Sequence, residues 1–204
     1  MRPVSVVIAA AACSAVAAHA AADIVPIGPF VGGMREPLNF TNTNISADQP
    51  LFNGAVHLVA PTGITYIHLL LGDTFNGDQV TPRTGQYIVG WTEDPGRLLF
   101  STPITDFGAY WNNNSGTNND TVRFYSAAGV LLGTATATNP TAGNVWTWNG
   151  WHFDTPVSRI DISTNSPFQG WVWLDDLEAN AVPAPSAAGV LGVTLVGICR
   201  GRRR

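Results

Sequence analysis

Short runs of apolar and β-branched residues recur along the middle of the chain, separated by turn-forming residues. Ile160 and Ile162 alternate with polar residues, and Ala135 and Ala137 alternate with threonines. A period of two places successive side chains on opposite faces of a strand. The pattern predicts an all-β fold, a two-sheet antiparallel sandwich. The predicted strands are 55–60, 64–71, 87–92, 98–101, 121–127, 130–138, 145–148, 157–164 and 171–177.

The N-terminus has the pattern of a secretory signal peptide. One positive charge, Arg2, precedes an apolar run over 4–18 that is too short to span a bilayer. Ala18 and Ala20 flank His19 in the small-x-small pattern that signal peptidase cleaves, so cleavage is predicted after Ala20. The sequence therefore predicts an exported protein with a signal helix over 1–20.

The residues between the two ends are acidic and lack cysteine. All 14 acids of the chain lie in 23–178 together with five arginines, and lysine is absent, so the net charge there is near −9. Such a charge argues against nucleic acid or an anionic surface as a partner, and favours a neutral ligand or a cation. Without cysteine this region can form neither a disulfide nor a thiolate metal site. About 160 residues remain once both ends are removed, the size of one domain.

The C-terminal residues combine three features in a fixed order. The motif Val182-Pro183-Ala184-Pro185 is followed by an apolar stretch over 187–199 and then by Arg200 and three terminal arginines. Thirteen helical residues cover about 20 Å, less than the roughly 30 Å of a hydrocarbon core. We therefore expect a short apolar helix with transient membrane contact rather than a permanent anchor.

This order resembles the PEP-CTERM sorting tail of bacterial exported proteins. In that family a Pro-Glu-Pro motif precedes the apolar helix, and here Ala184 stands in the place of the glutamate. The resemblance implies processing by a protease of the exosortase type. It also implies that the protein is located at the cell surface or in the extracellular matrix.

The dipeptide Asn149-Gly150 is a preferred centre of type I′ hairpin turns. In such a hairpin Trp148 would face Trp151, and Trp146 would face Phe153, so the four rings would share one face. That face could stack on sugar rings or belong to the core. The candidate ligand-binding residues are Trp146, Trp148 and Trp151, with Trp148 and Trp151 expected to be exposed.

The region from Leu98 to Leu177 resembles the secreted β-sandwich domains that precede such tails, and its ending resembles jelly-roll carbohydrate-binding modules. The residues that carry the resemblance are Phe100, Thr102-Pro103-Ile104, Phe107-Gly108, 122–125, Gly129, Leu131-Leu132-Gly133, Pro156-Val157, Ile160-Asp161-Ile162 and Leu174-Asp175-Asp176-Leu177. The resemblance implies a jelly-roll-like sandwich, glycan binding and a structural calcium ion at Asp175 or Asp176. The alternative for the two aspartates is a charged strand exit.

No catalytic residue and no cofactor other than that calcium are predicted. Asp175 and Asp176 should point to opposite faces of a strand, so they should not act as an acid and base pair. No histidine pair has ligand spacing, and no G-x-S-x-G motif is present. We expect a signal peptide (1–20), an irregular lead-in with an edge strand (21–53), a sandwich (54–181) and a sorting tail (182–204).

The expected function is that of a non-catalytic surface or matrix protein that binds polysaccharide through its aromatic residues. Two alternatives remain open from the sequence. One is a structural or adhesive protein without a small ligand, and the other is a polysaccharide-acting enzyme.

Overall fold

The computed structural model describes residues 22–40, 44–61, 65–69, 80–91, 95–112, 119–140, 145–164 and 172–183. Within these ranges the chain forms strands and one short 3₁₀ turn, Phe52–Gly54, and no α-helix. The all-β prediction is confirmed. The predicted signal helix and the predicted C-terminal apolar helix lie outside the described residues.

The described residues form the following strands. They are β1 (Ile24–Pro26), β2 (Met34–Glu36), β3 (Asn44–Ser46), β4 (Asp48–Leu51), β5 (Val56–Val59), β6 (Thr65–Leu69), β7 (Tyr87–Trp91), β8 (Gly96–Asn112), β9 (Asn119–Tyr125), β10 (Leu131–Thr138), β11 (Thr147–Thr164) and β12 (Val172–Ala181). Each strand predicted from residue 55 onward overlaps one of β5 to β12. Strand β8 continues well beyond its predicted end at residue 101, β12 continues beyond 177, and the segments 145–148 and 157–164, predicted as two strands, belong to the single strand β11.

Two long strands, β8 and β11, pair with each other and run through both sheets of the sandwich. Leu98 pairs with Ile160 near one end and Ala109 pairs with Asn149 near the other, and the register shifts between residues 152 and 159. Hydrogen bonding is therefore continuous from one sheet into the other. Sheet A has the order β10-β9-β11-β8-β5-β4. Sheet B has the order β1-β11-β8-β12-β7-β6-β3, and β2 pairs with β12.

The core lies between the two sheets. Phe124 of sheet A packs against Trp151 and Phe153 of sheet B, with ring centroids 5.4 and 4.9 Å apart. Trp111 on the adjacent strand packs edge-on against Trp151 at 6.1 Å. Strand alternation turns these rings inward and their sequence neighbours outward. Because each large aromatic ring buries about 150–250 Å² of surface, this cluster is a major source of stability.

No hairpin turn forms at Asn149-Gly150. Strand β11 continues through both residues, which pair with Ala109 and Gly108 of β8. The predicted pairing of Trp148 with Trp151 is therefore wrong, because strand alternation places the two rings on opposite faces.

The segment 21–53 also differs from its prediction as an irregular lead-in with an edge strand. Its described residues contain four strands, of which β1 pairs with β11 and β2 pairs with β12. These residues are thus part of the sandwich. Strands of three or four residues, one of them ending in Pro26, are too short to show a period of two.

Candidate functional site

Two segments of the chain cross the outer face of sheet B and leave a cleft between them. The first is residues 27–33, here named the crossing segment. The backbone N–H of Ile27 donates to the carbonyl of Gly150 (2.9 Å), and Trp148 Nε1 donates to the carbonyl of Ile27 (3.0 Å). At its other end, the N–H of Gly32 donates to Oε2 of Glu178 (2.8 Å). The crossing segment therefore runs from β11 to β12 over the intervening strand β8.

The second segment is residues 80–85, here named the anchored loop, and two aspartates of β12 hold it. Asp175 Oδ2 accepts hydrogen bonds from the backbone N–H groups of Arg83 (2.7 Å) and Thr84 (3.2 Å). Thr84 Oγ1 donates to Asp176 Oδ1 (2.6 Å), and the Arg83 guanidinium donates to Asp176 Oδ2. The loop is thus fixed through both its backbone and its side chains.

Both aspartates reach the same loop because β12 contains a β-bulge. Asp176 has a φ of 47°, and the register with β8 shifts between Asp175 and Glu178. A bulge adds one residue to a strand and interrupts its alternation of faces. The prediction that the two carboxylates point to opposite faces is therefore wrong.

The surroundings of Asp175 and Asp176 do not fit a calcium ion. Calcium takes about six to eight oxygen ligands, whereas these carboxylates accept hydrogen bonds from N–H and O–H groups of Arg83, Thr84 and Asp176. Over the part of the chain that the structure describes, no three His, Cys, Asp or Glu residues are grouped to hold a metal. Burial, and then the charge of Asp176, raise the pKa of Asp175 to about 6. The two residues fit an anchor for the loop.

An aromatic floor lies between the crossing segment and the anchored loop. The indole of Trp148 lies over the backbone of two adjacent strands. A Cβ at Gly108 would come within 2.2 Å of its Cζ2, and a Cβ at Gly150 within 2.7 Å of its Nε1. Tyr110 and Phe30 pack edge-on against this ring, with centroids 5.2 and 5.8 Å away. Glycine at 108 and 150 is what lets the ring approach the sheet so closely.

Charged groups form the rim of the cleft. The Arg83 guanidinium lies 3.5 Å from the centroid of the Tyr110 ring. On the other side, Arg35 Nε lies 2.6 Å from Glu178 Oε1. The cleft has a volume of about 250 Å³. It therefore combines an apolar floor with polar groups that can donate and accept hydrogen bonds, the composition typical of small-ligand sites.

A larger open groove of about 850 Å³ lies beside Glu36, Phe40 and Pro50. The carboxylate in this groove belongs to Glu36 and already accepts hydrogen bonds from the backbone N–H groups of Leu38 (2.9 Å) and Phe52. Leu38 and Phe52 have positive φ angles of 51° and 52°, a backbone conformation that residues other than glycine seldom adopt. The hydrogen bonds to Glu36 therefore stabilise this conformation. The cleft on sheet B is the stronger candidate despite its smaller volume.

The structure does not bring the three predicted tryptophans together. Trp148 lies in the cleft floor. Trp146 is half-buried, donates from Nε1 to the carbonyl of Thr81 (3.1 Å) and packs against the cluster of Val80, Ile88 and Trp173. Trp151 is 3% exposed and lies in the core, so the prediction that it is exposed is wrong.

Three residues of the cleft, Phe30, Tyr110 and Arg83, were not predicted from the sequence. Tyr110 lies between two buried neighbours, Ala109 and Trp111, in a strand that extends beyond its predicted end. Alternation along β8 would have identified it as an outward residue. Phe30 and Arg83 lie in segments without a periodic pattern, so no local signal marked them.

Part of the predicted sorting motif is described. The backbone N–H of Val182 donates to the carbonyl of Pro103 (2.9 Å), so the chain is still attached to the sandwich at this point. The predicted signal cleavage site and Ala184-Pro185 lie outside the described residues. Among the residues that are described, no helix is long and apolar enough to cross a membrane.

Comparisons with known proteins identify no family for this chain. No family model matches, and no curated protein matches. Among solved structures, a family 6 carbohydrate-binding module is 18% identical, with 79% of this chain and 95% of that chain covered and a TM-score of 0.36. A β-1,3-glucan-binding family 6 module from Bacillus halodurans is 13% identical, with 72% and 95% covered and a TM-score of 0.39.

Parts of larger enzymes also align with this chain. A family 43 arabinoxylan arabinofuranohydrolase from Bacillus subtilis is 15% identical over 52% of this chain, with a TM-score of 0.37. The chain covers 24% of that enzyme and 23% of a family 51 arabinofuranosidase. All these TM-scores are below 0.5.

Proposed function

We propose that this protein is a non-catalytic exported protein whose sandwich binds a neutral polysaccharide in the cleft of sheet B. The observation that carries the proposal is the Trp148 ring, which lies over Gly108 and Gly150 beside Tyr110. The C–H faces of sugars stack on aromatic rings, and sugar hydroxyls need polar partners at the rim. Arg35 and Arg83 are placed to provide such partners.

The acids around the cleft support binding rather than catalysis. Asp176 and Glu178 are each paired with an arginine, and Asp175 is fully buried beneath the anchored loop. A glycosidase needs two carboxyl groups on either side of the scissile bond, one to donate a proton and one to attack or to activate water. These three acids instead hold the cleft walls in place.

The two ends of the sequence support polysaccharide binding outside the cell. The signal-peptide pattern favours export, and the PEP-CTERM-like tail favours processing by an exosortase-type protease after transient membrane contact. The net charge near −9 between the ends disfavours nucleic acid as a partner. The binding partner we propose is therefore a polysaccharide at the cell surface or in the extracellular matrix.

A second candidate is a structural or adhesive protein without a small ligand. It is favoured by the contacts of Trp148, whose Nε1 bonds to Ile27 and whose ring packs against Phe30. The ring therefore also holds the crossing segment in place. A ring used only for that purpose would bind no sugar.

Two substitutions at Trp148 separate the two candidate functions. Both remove the hydrogen bond to Ile27, but only the alanine variant removes the aromatic surface. Trp148→Ala should weaken binding to neutral oligosaccharides by about tenfold or more, since stacking contacts of this kind contribute about 1–3 kcal/mol. Trp148→Phe keeps an aromatic surface and should bind within about threefold of the parent. Calorimetric titration against a panel of neutral glycans measures both.

Thermal unfolding of each variant provides the control for folding. Equal loss of binding in the alanine and phenylalanine variants would contradict stacking as the source of affinity. If the parent protein binds none of the neutral glycans, the structural candidate stands and the proposed function fails.

A further inference from the structure

The outer face of sheet A carries a group of arginines that is separate from the cleft. Alternation along β8, β9 and β11 turns Arg97, Arg123 and Arg159 outward, whereas Leu98 and Phe124 face the core. The arginines and the residues around them on this face are here named the arginine face.

The register places these charges side by side. Asp161 of β11 pairs with Arg123 of β9 on one side and with Arg97 of β8 on the other. Adjacent strands lie about 4.8 Å apart, so the Cα atoms of the two arginines are separated by about 10 Å. Arg159 lies on the same face of β11, two residues before Asp161.

The arginine face is positive in an acidic protein. Three of the five arginines in residues 23–183 lie here, against 14 acids over the same range. Among the described residues, Asp161 is the acid beside these arginines, and its side chain is only 8% exposed, whereas those of Arg97 and Arg159 are 38% and 31% exposed. Farther along the described part of sheet A, Asp48 is paired with His57. The charge that reaches solvent beside Asp161 is therefore mainly that of guanidinium groups.

The guanidinium groups are held in place but keep free donors. Arg159 Nε lies 3.0 Å from Asp161 Oδ1, and its guanidinium lies 3.8 Å from the centroid of the Tyr125 ring. Arg123 Nη1 donates to Ser163 Oγ (3.1 Å). Arg97 Nε is 3.6 Å from Asp161 Oδ2, beyond hydrogen-bonding distance. Arg97 Nε and Arg159 Nε are buried, so the donors that can face a ligand are those of the Nη groups.

A row of hydroxyl groups lies beside the arginines. Thr121 pairs with Ser163 on one side and with Thr136 on the other, and all three side chains are on the outer face. Hydroxyl groups and planar guanidinium groups together match a ligand that has both anionic groups and hydroxyls. A lipid surface attracts positive charge without needing donors at fixed positions.

We propose that the arginine face binds an acidic polysaccharide, one that carries carboxylate or sulfate groups along its chain. Arginine binds such groups through two parallel N–H···O hydrogen bonds, and ordered side chains lose little entropy on binding. The negative net charge of the domain does not prevent this, because salt screens charges farther than about 8–10 Å away. This site is independent of the cleft on sheet B and takes a different class of glycan.

The test compares the parent protein with Arg97→Gln/Arg123→Gln in binding to alginate, a polyuronate, with a neutral β-glucan as the reference polymer. We expect the parent to bind alginate more weakly as salt is raised. The double variant should bind at least about tenfold more weakly, because it lacks two charge-assisted contacts. Arg97→Lys/Arg123→Lys keeps the charge without the planar fork and should fall between the two.

The matched control is Gln86→Glu/Asn39→Asp, which changes the net charge by the same amount at exposed residues outside the arginine face. It should bind alginate as the parent does. Trp148→Ala should also keep alginate binding, so the failure of the cleft proposal and the failure of this one can be told apart. Arg123→Gln alone provides a milder variant if thermal unfolding shows that the double variant is not folded.

Three results would overturn the proposal. The first is that the parent does not bind alginate. The second is that the matched control loses as much affinity as the arginine variant, which would assign binding to net charge alone. The third is that the parent binds phosphatidylglycerol vesicles and not alginate, which would make the arginine face a membrane contact.

Discussion

Asp175 is fully buried, and its carboxylate holds the anchored loop through hydrogen bonds from backbone N–H groups. Burial and the adjacent charge of Asp176 raise its pKa from 3.8 to about 6. A raised pKa means that the folded protein binds this proton more tightly than the unfolded chain does. The residue that anchors the loop therefore also makes the stability of the domain depend on pH.

We predict that Asp175 lowers the free energy of unfolding as the pH rises from about 4 to about 6. In that window the folded state holds a proton that the unfolded state has released. A shift of about two pKa units corresponds to about 3 kcal/mol. Asp175→Asn cannot titrate, so its difference from the parent should change by that amount across the window. Urea unfolding at several pH values measures the difference, and a constant difference would contradict the prediction.

The strands of the sandwich could be predicted from sequence because their signal is local. Alternation over 130–138 and 157–164 depends on neighbouring residues, and both segments are strands in the structure. The prediction of a turn at Asn149-Gly150 was wrong for a non-local reason. Asn149 exchanges hydrogen bonds with the backbone of Thr138 (2.8 and 3.0 Å), and Gly150 makes room for Trp148. Both residues therefore make contacts that fit a continuous strand. The turn propensity of a dipeptide does not take such contacts into account.

The cleft could be predicted only in part, because its residues come from distant segments. Trp148 was identified from sequence, but the strands that bring the crossing segment over it, β1 and β2, have no periodic pattern. The bulge at Asp176 depends on pairing with β8, and strand alternation alone places its carboxylate on the wrong face.

At the level of the sheet, we predict that Gly108→Ala disturbs the cleft floor. The new Cβ would lie 2.2 Å from Trp148 Cζ2, so the ring must move away from β8 and lose its contacts with the crossing segment. We expect a loss of about 1–3 kcal/mol in the free energy of unfolding, typical of overpacking, and a change in tryptophan fluorescence.

Gly28→Ala is the matched control for this substitution. A Cβ at Gly28 meets nothing within 4 Å, so its free energy of unfolding should stay within about 0.5 kcal/mol of the parent. Equal stability of the two variants, measured by urea unfolding, would show that the ring is not held against the sheet.

For the whole molecule, we predict the effect of removing the proposed sorting tail. Deletion of residues 184–204 should release into the medium a protein that the full chain retains at the surface, because it removes the apolar stretch and the terminal arginines. This truncation keeps Val182 and its bond to Pro103, so the sandwich should unfold at the parent's temperature. Immunoblots of cell and medium fractions measure the distribution, and equal retention of both forms would contradict the prediction.

The position of β12 determines how the domain would respond to a mechanical load on that tail. Strand β12 is paired with β8 along one edge and with β7 and β2 along the other. Interstrand hydrogen bonds lie perpendicular to antiparallel strands, so a pull along β12 from Val182 loads both ladders in shear. All of these bonds must then yield together, whereas a pull on the edge strand β10 would open its single ladder one bond at a time.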